Sequence, residues 1–224
     1  MVPDPSSVPH ASPSPAGEGG ASDGLAGPGA LDGLAATLRA LPPSCGPVRL
    51  IAVDGHAGSG KTTFAARLSG TLGGAPVLHL DDLASHETFF GWVPRLTEQV
   101  LRPLSQGRTA RYTPYDWHRA RFPPEPESAA SLPPAPVVLV EGVGAGRRAL
   151  RPHLACLLWM DMAAEDSWHR GRLRDGPVLA EFWDTWTHAE MTHFAEDSSY
   201  SFANFVVRRG ELGYEVRKGP AGGR

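Results

Sequence analysis

The sequence predicts an α/β fold: a central parallel sheet of about five strands with helices on both faces. Three observations predict it. The apolar runs at 48–53, 137–140 and 155–160 are strand-length and almost unbroken, as expected for strands covered on both sides. Helical stretches separate those runs, which implies parallel neighbours joined by crossovers. A glycine-rich loop joins the first strand to the first helix after it.

Taken in order, residues 1–46 are dominated by Pro, Gly, Ser and Ala, a composition that buries too little surface to offset the entropy of ordering. They read as a disordered N-terminal tail. Within it, Leu31, Leu34 and Leu38 recur at helical spacing, so a short helix near 30–40 is expected. Strand 48–53 leads through the glycine loop into a helix from Lys61 to about Leu68, stopped by Gly70. Residues 76–80 form a second strand closing on Asp81 and Asp82, and a helix follows over about 93–104. Residues 107–135 carry aromatics, arginines and prolines without periodicity and read as a long functional loop. Strands at 137–140, 155–160 and 205–207 complete the set. Leu179, Phe182, Trp183 and Trp186 mark the apolar stripe of a long helix between the last two. The folded domain is expected over 47–210, with a C-terminal tail at 211–224.

The 224-residue chain has a net charge of −3. Residues 1–46 hold four acids and one base, so the remainder, with twenty of each sign, is neutral. Duplex binding needs basic surface, so no nucleic-acid partner is expected. Only Cys45 and Cys156 are present, which fits a reducing compartment. No apolar run approaches the length of a bilayer span, and the start lacks the pattern of a signal peptide. The expectation is a cytoplasmic protein with no membrane partner. Oligomeric state is not legible.

Gly55-His56-Ala57-Gly58-Ser59-Gly60-Lys61-Thr62 matches G-x-x-x-x-G-K-[ST] at every fixed position. Glycines let consecutive N–H groups turn inward around a polyphosphate, and the following helix adds its positive end. Lys61 reaches the β- and γ-phosphates, the Thr62 hydroxyl ligates Mg²⁺, and Thr63 completes the cradle. The expected cofactors are ATP and Mg²⁺, on a P-loop NTPase three-layer fold. The Asn-Lys-x-Asp of guanine recognition is missing from the sequence.

Later segments extend this pattern: Leu80-Asp81-Asp82-Leu83, Gly91-Trp92, Tyr115-Asp116-Trp117, Val140-Glu141-Gly142, and Arg170 through Arg174-Asp175-Gly176. In order and spacing the chain resembles the uridine kinase-like family of P-loop kinases, particularly a small actinobacterial-type branch, over residues 48–208. The resemblance implies transfer of the γ-phosphoryl group of ATP to a hydroxyl of a small, nucleoside-like acceptor. It also implies that Asp81, at a strand end facing the ligand crevice, takes the proton of that hydroxyl. Asp82 is a candidate to share the task or to hold magnesium through water, and a helix cap is its alternative role. Glu141 stands where P-loop proteins place the acid that holds Mg²⁺.

Arg170, Arg172 and Arg174 lie on the segment such kinases use as a lid, where cations meet charge on the transferred group. Arg170 and Arg174 share a helix face and rank above Arg172. Tyr112, Tyr115, Asp116 and Trp117, with Arg111 and Arg119 nearby, suit a pocket that stacks a base and bonds a sugar. The alternative is an aromatic cluster that pins its loop to the domain. Trp92 is a weaker candidate. Gly142, Gly144 and Gly146 let backbone approach the substrate. His188 and His193 flank Glu190 at a five-residue spacing, which on a helix cannot share a metal, so no zinc site is expected. Glu190 is a candidate partner for a lid arginine. Two alternatives stay open: another acceptor (a nucleoside monophosphate, a sugar or a vitamin precursor), and a nucleotide-binding switch that transfers nothing.

Overall fold

The computed structural model describes residues 24–27, 29–124 and 128–222. Residues 1–23 and 28 of the expected disordered tail lie outside them. Five strands run parallel, as expected: β2 (Arg49–Asp54), β3 (Val77–His79), β6 (Val137–Glu141), β7 (Cys156–Met160) and β8 (Phe205–Gly210). The sheet extends further through two antiparallel strands, β1 (Gly24–Gly27) and β9 (Gly213–Lys218), in the order β1-β9-β8-β7-β2-β6-β3.

Both tail boundaries therefore move. β9 pairs with β8 in a hairpin, with Val207 opposite Val216, and its alternating Tyr214 and Val216 are buried. That period of two was the signal for a strand in the expected C-terminal tail. On the other side, β1 pairs with β9, and α1 (Ala30–Ala40) buries Leu34 and Leu38 completely. Residues 24–27 and 29–46 thus pack with the sheet. Two leucines on one face bury enough apolar surface to hold this short helix, about 1.5–3 kcal/mol each.

β2 shows why the runs are unbroken. Leu50 and Ala52 face one layer, with Leu96, Leu104, Val140 and Trp159. Ile51 and Val53 face the other, with Leu34, Phe64, Leu68 and Leu158. Both sheet faces are covered, and the result is three layers.

Local boundaries follow from backbone chemistry. α2 (Lys61–Thr71) runs through Gly70 and stops before Gly73 and Gly74, which adopt φ of +84° and +87°, conformations that favour glycine. The expected helix at 93–104 is broken into α3 (Val93–Leu96), a π-helical turn Thr97–Leu101 and α4 (Arg102–Ser105). Pro103 brings no N–H to the regular ladder, and the helix widens just before it. The stretch 107–135, expected to be structureless, contains a small antiparallel pair, β4 (Ala110–Tyr112) and β5 (Ala130–Leu132), with Ala110 opposite Leu132. After β7 come α5 (Ala164–Asp175) and α6 (Ala180–Glu196), which pack against each other beside the glycine loop.

Candidate active site

The glycine loop leaves β2 at Asp54, a fully buried carboxylate. Asp54 accepts N–H bonds from Gly55 (2.7 Å), Gly144 (2.9 Å) and Gly146 (2.8 Å). A buried charge needs such partners, and these three tie the segment after β6 to the base of the loop. Gly144 and Gly146 thus serve Asp54 with their backbones. Gly142, at φ +149°, lets the chain pass Leu80, whose Cβ would lie 2.7 Å from an added Cβ.

The loop ends at Gly60 (φ +95°), from which α2 starts, so the N-terminal turn of α2 opens onto a cleft of about 560 Å³. That volume suits a small-molecule site. Lys61 lines the cleft and donates from Nζ to the carbonyls of Gly55 and His56, at 2.9 Å each. Ala57, Gly58, Gly60, Thr62 and Thr63 line it too, whereas Gly55, His56 and Ser59 do not. For His56 the reason lies in Glu190, fully buried on α6. It accepts bonds from His56 Nδ1 (2.7 Å), Ala57 N–H (3.1 Å), Trp168 Nε1 (3.0 Å) and Trp186 Nε1 (2.9 Å). The Ala57 amide, one of the loop N–H groups expected to grip phosphate, is already engaged there, as is the His56 side chain. Burial alone would push the Glu190 carboxyl up; the His56 bond, the Lys61 charge and the Ala57 N–H outweigh it and hold it below its ordinary value.

Across the cleft floor, the Thr62 hydroxyl donates to Glu141 Oε1 at 3.1 Å, and His79 Nδ1 meets the same oxygen at 2.5 Å. Glu141 is buried and lines the cleft. The His79 pKa is raised, chiefly by this hydrogen bond. A hydroxyl and a carboxylate converging beside a phosphate loop are hard oxygen donors of the type Mg²⁺ takes together with substrate phosphates. Among the described residues no cluster of three or more His, Cys, Asp or Glu side chains would hold a metal unaided. The donor set present fits a magnesium ion shared with a nucleotide.

Asp81 sits on the cleft wall in a 3₁₀ turn, Leu80–Asp82, immediately after β3. Its surface opens to the cleft, yet the surrounding walls limit hydration. That confinement and the Glu141 carboxylate push its pKa up, against the pull of Lys61. Arg170 and Arg174 of α5 line the same cleft, and Arg174 is within electrostatic reach of Asp81. Arg174 also forms a two-pronged ion pair with Asp175, at 2.5 and 2.8 Å. Arg172 points elsewhere, to Asp184 at 2.8 Å.

Four residues expected to bind the acceptor fall outside the cleft lining. Asp82 turns away to accept the Tyr112 hydroxyl at 3.3 Å, and burial raises its pKa. Tyr112 and Tyr115 are buried, Tyr115 with its hydroxyl 3.0 Å from His86 Nδ1. Asp116 accepts the N–H groups of His118 (3.1 Å) and Arg119 (2.9 Å) and pairs with the Arg119 side chain. Tyr112, Tyr115 and Asp116 are thus bonded within this loop and to the segment after β3. Trp117 does reach the cleft, its Nε1 donating to the Asp81 carbonyl at 3.1 Å. Trp92 is buried under the Arg147 guanidinium.

The other side of the cleft was not anticipated. His86, Leu179, Phe182, Trp183 and Trp186 line it. The sequence shows Phe182, Trp183 and Trp186 only as an apolar stripe, which cannot distinguish a core face from a cleft face. Gly171 is one signal that was present: an added Cβ would lie 2.1 Å from the Trp183 ring, so only glycine lets α6 approach α5 here.

No family model matches the chain, and no curated protein matches it in sequence. Solved structures do. A possible uridine kinase from Bacillus stearothermophilus aligns at 21% identity and a TM-score of 0.57, over 79% of this chain and 96% of that one. A candidate fructose transport system kinase from Silicibacter sp. TM1040 aligns at 19% identity and a TM-score of 0.53, over 74% and 88%. The fold is that of P-loop kinases. At such identities the likeness extends to architecture and not to substrate.

Proposed function

We propose that this protein is an ATP-dependent kinase that transfers the γ-phosphoryl group to a hydroxyl of a ring-bearing small molecule, with a pyrimidine nucleoside such as uridine or cytidine as the leading acceptor. The observation that carries this reading is convergence. Lys61, Thr62, Glu141, Asp81, Arg170 and Arg174 come from four separate segments and line one cleft. The amides of Gly58 and Gly60 and those of Lys61, Thr62 and Thr63 at the start of α2 bind the nucleotide phosphates. Thr62 and Glu141 would hold Mg²⁺, which would neutralise phosphate charge.

In the reaction, the acceptor oxygen attacks the γ-phosphorus as its proton passes to Asp81, and the bond from γ-phosphorus to the β,γ-bridging oxygen breaks. ADP and a phosphate monoester result. The raised pKa of Asp81 suits a group that must accept a proton. Lys61, Arg170 and Arg174 meet the negative charge that spreads over the transferred group.

The acceptor side supports a planar ring. Aromatic rings there form a continuous wall: His86 to Trp117 at 4.8 Å between centroids, Trp117 to Phe182 at 6.1 Å, and Phe182 to Trp186 at 6.1 Å. The indole N–H groups of Trp117, Trp183 and Trp186 are bonded within the protein, so these residues offer ring faces and not donors. A flat, weakly polar ring fits such a wall better than a polyhydroxylated sugar does. Among the described residues no helix is long and apolar enough to cross a membrane; we place the enzyme in the cytoplasm. Its membership of an actinobacterial-type branch is part of the same proposal.

The test is Asp81→Asn together with an acceptor panel of pyrimidine nucleosides, nucleoside monophosphates, sugars and vitamin precursors. The variant is expected to bind MgATP normally and lose phosphoryl transfer by at least about a hundredfold. Full transfer by Asp81→Asn would remove Asp81 as the base. ATP consumption unaffected by every acceptor would remove the kinase reading.

A further inference from the structure

The buried Glu190 carboxylate has no part in the chemistry above, yet it joins three elements. Oε1 meets His56 Nδ1 and Trp168 Nε1; Oε2 meets the Ala57 N–H and Trp186 Nε1. One pair of bonds holds the phosphate loop, one bond holds α5, and the last stays within α6. Trp168 lies on the same helix as Arg170 and Arg174, two and six residues before them. A second contact reinforces the first. Gly58 (φ +87°) passes so close to α5 that an added Cβ would lie 1.9 Å from the Ser167 carbonyl oxygen. The helix that carries the cleft-facing arginines is thus bonded to the loop those arginines serve.

We propose that Glu190 is a positioning residue: it fixes α5 against the phosphate loop and so fixes where Arg170 and Arg174 present their charge. This rests on the assignment of those arginines in the proposed function. The chemistry of the site requires a carboxylate. All four partners are arranged as donors, and bonds to an ionised acceptor are the strong ones. A glutamine would turn an NH₂ group toward two of them. Placement within about half an ångström is what a charge-stabilising group needs, and a helix on a free hinge would not supply it.

Trp168→Phe tests this, because it removes only the α5 bond and keeps an aromatic ring. Two quantities are measured: steady-state ATP turnover with water as acceptor, which needs no acceptor assignment, and MgADP affinity by calorimetry. The expected result is a fall in kcat of about tenfold with MgADP affinity within threefold of the parent. In an Arg170→Ala/Arg174→Ala background the same substitution is expected to change kcat by less than twofold, since its effect passes through those side chains.

An equal fold-loss in both backgrounds would overturn the proposal. So would a fall in MgADP affinity as large as the fall in kcat, which would mean that the tether serves phosphate grip. If Arg170→Ala/Arg174→Ala itself turned over ATP at the full rate, the arginine assignment would fail and this inference with it.

Discussion

Replacing Asp54 by asparagine isolates the contribution of one buried carboxylate to the architecture of the site. Asp54 Oδ1 accepts from Gly55 and Gly144, and Oδ2 accepts from Gly146. In Asp54→Asn the amide oxygen keeps the first two bonds, and its NH₂ group faces the Gly146 N–H. One bond to a charge is lost, and a buried donor is left without a partner, at a cost of about 1–3 kcal/mol. The two surviving bonds weaken because their acceptor is now neutral. Relief from burying a charge offsets part of this. The net expectation is a loss of about 2 kcal/mol, which in a chain of this size lowers Tm by roughly 4–8 °C. Asp54→Ala leaves three N–H groups unpaired and is expected to cost about 3–6 kcal/mol. Urea denaturation followed by tryptophan fluorescence measures both, with an unchanged m value as the check that the same two states are compared. Asp54→Asn within about 0.5 kcal/mol of the parent would refute the view that this carboxylate holds the segment after β6 in place.

Two further outcomes follow from the loop and its support. Gly58→Ala puts a Cβ 1.9 Å from the Ser167 carbonyl oxygen, whereas Gly60→Ala meets nothing within 4 Å although its φ is similarly positive. Both carry backbone strain of about 1–2 kcal/mol, but only Gly58→Ala must displace the loop from α5. MgADP titration should show Gly58→Ala weaker than Gly60→Ala by at least about tenfold; equal affinities would count against the close approach. The Glu190 carboxyl sits below its ordinary 4.5 in the folded state. Its ionised form therefore contributes stability that is complete above that pH and fades as pH falls through the folded value. Glu190→Gln is expected to flatten the stability curve only below about pH 4.5 and to leave it parallel to the parent between about pH 6 and 8. Parallel curves down to about pH 3 would show that Glu190 does not titrate with folding.

What the sequence discloses depends on how far each partner lies along the chain. The glycine loop is local, eight consecutive residues that match a motif on their own, and the buried runs of β2, β6 and β7 declare themselves by composition alone. Asp54 and Glu190 are isolated acids in the sequence, and their partners stand about 90 and 134 positions away. His79 lies 62 residues from Glu141. β4 and β5 have three residues each, too few for a period to show. Tyr112 and Tyr115 illustrate another limit: an aromatic beside an acid reads alike whether it lines a pocket or pins a loop. The structure separates the two by burial, placing Trp117 on the cleft and the tyrosines behind it.

The antiparallel margin of the sheet carries a consequence for assembly of the fold. Gly24 lies opposite Arg217, so the first and last strands described are neighbours. β1 has no strand to join until the β8–β9 hairpin exists, and Tyr214 and Val216 of β9 share a core cluster with Leu34 and Leu38 of α1. Contacts spanning so much of a chain close late and slowly. A cut just before Gly213 would therefore strip the margin at both ends together, releasing the leading segment along with the trailing one.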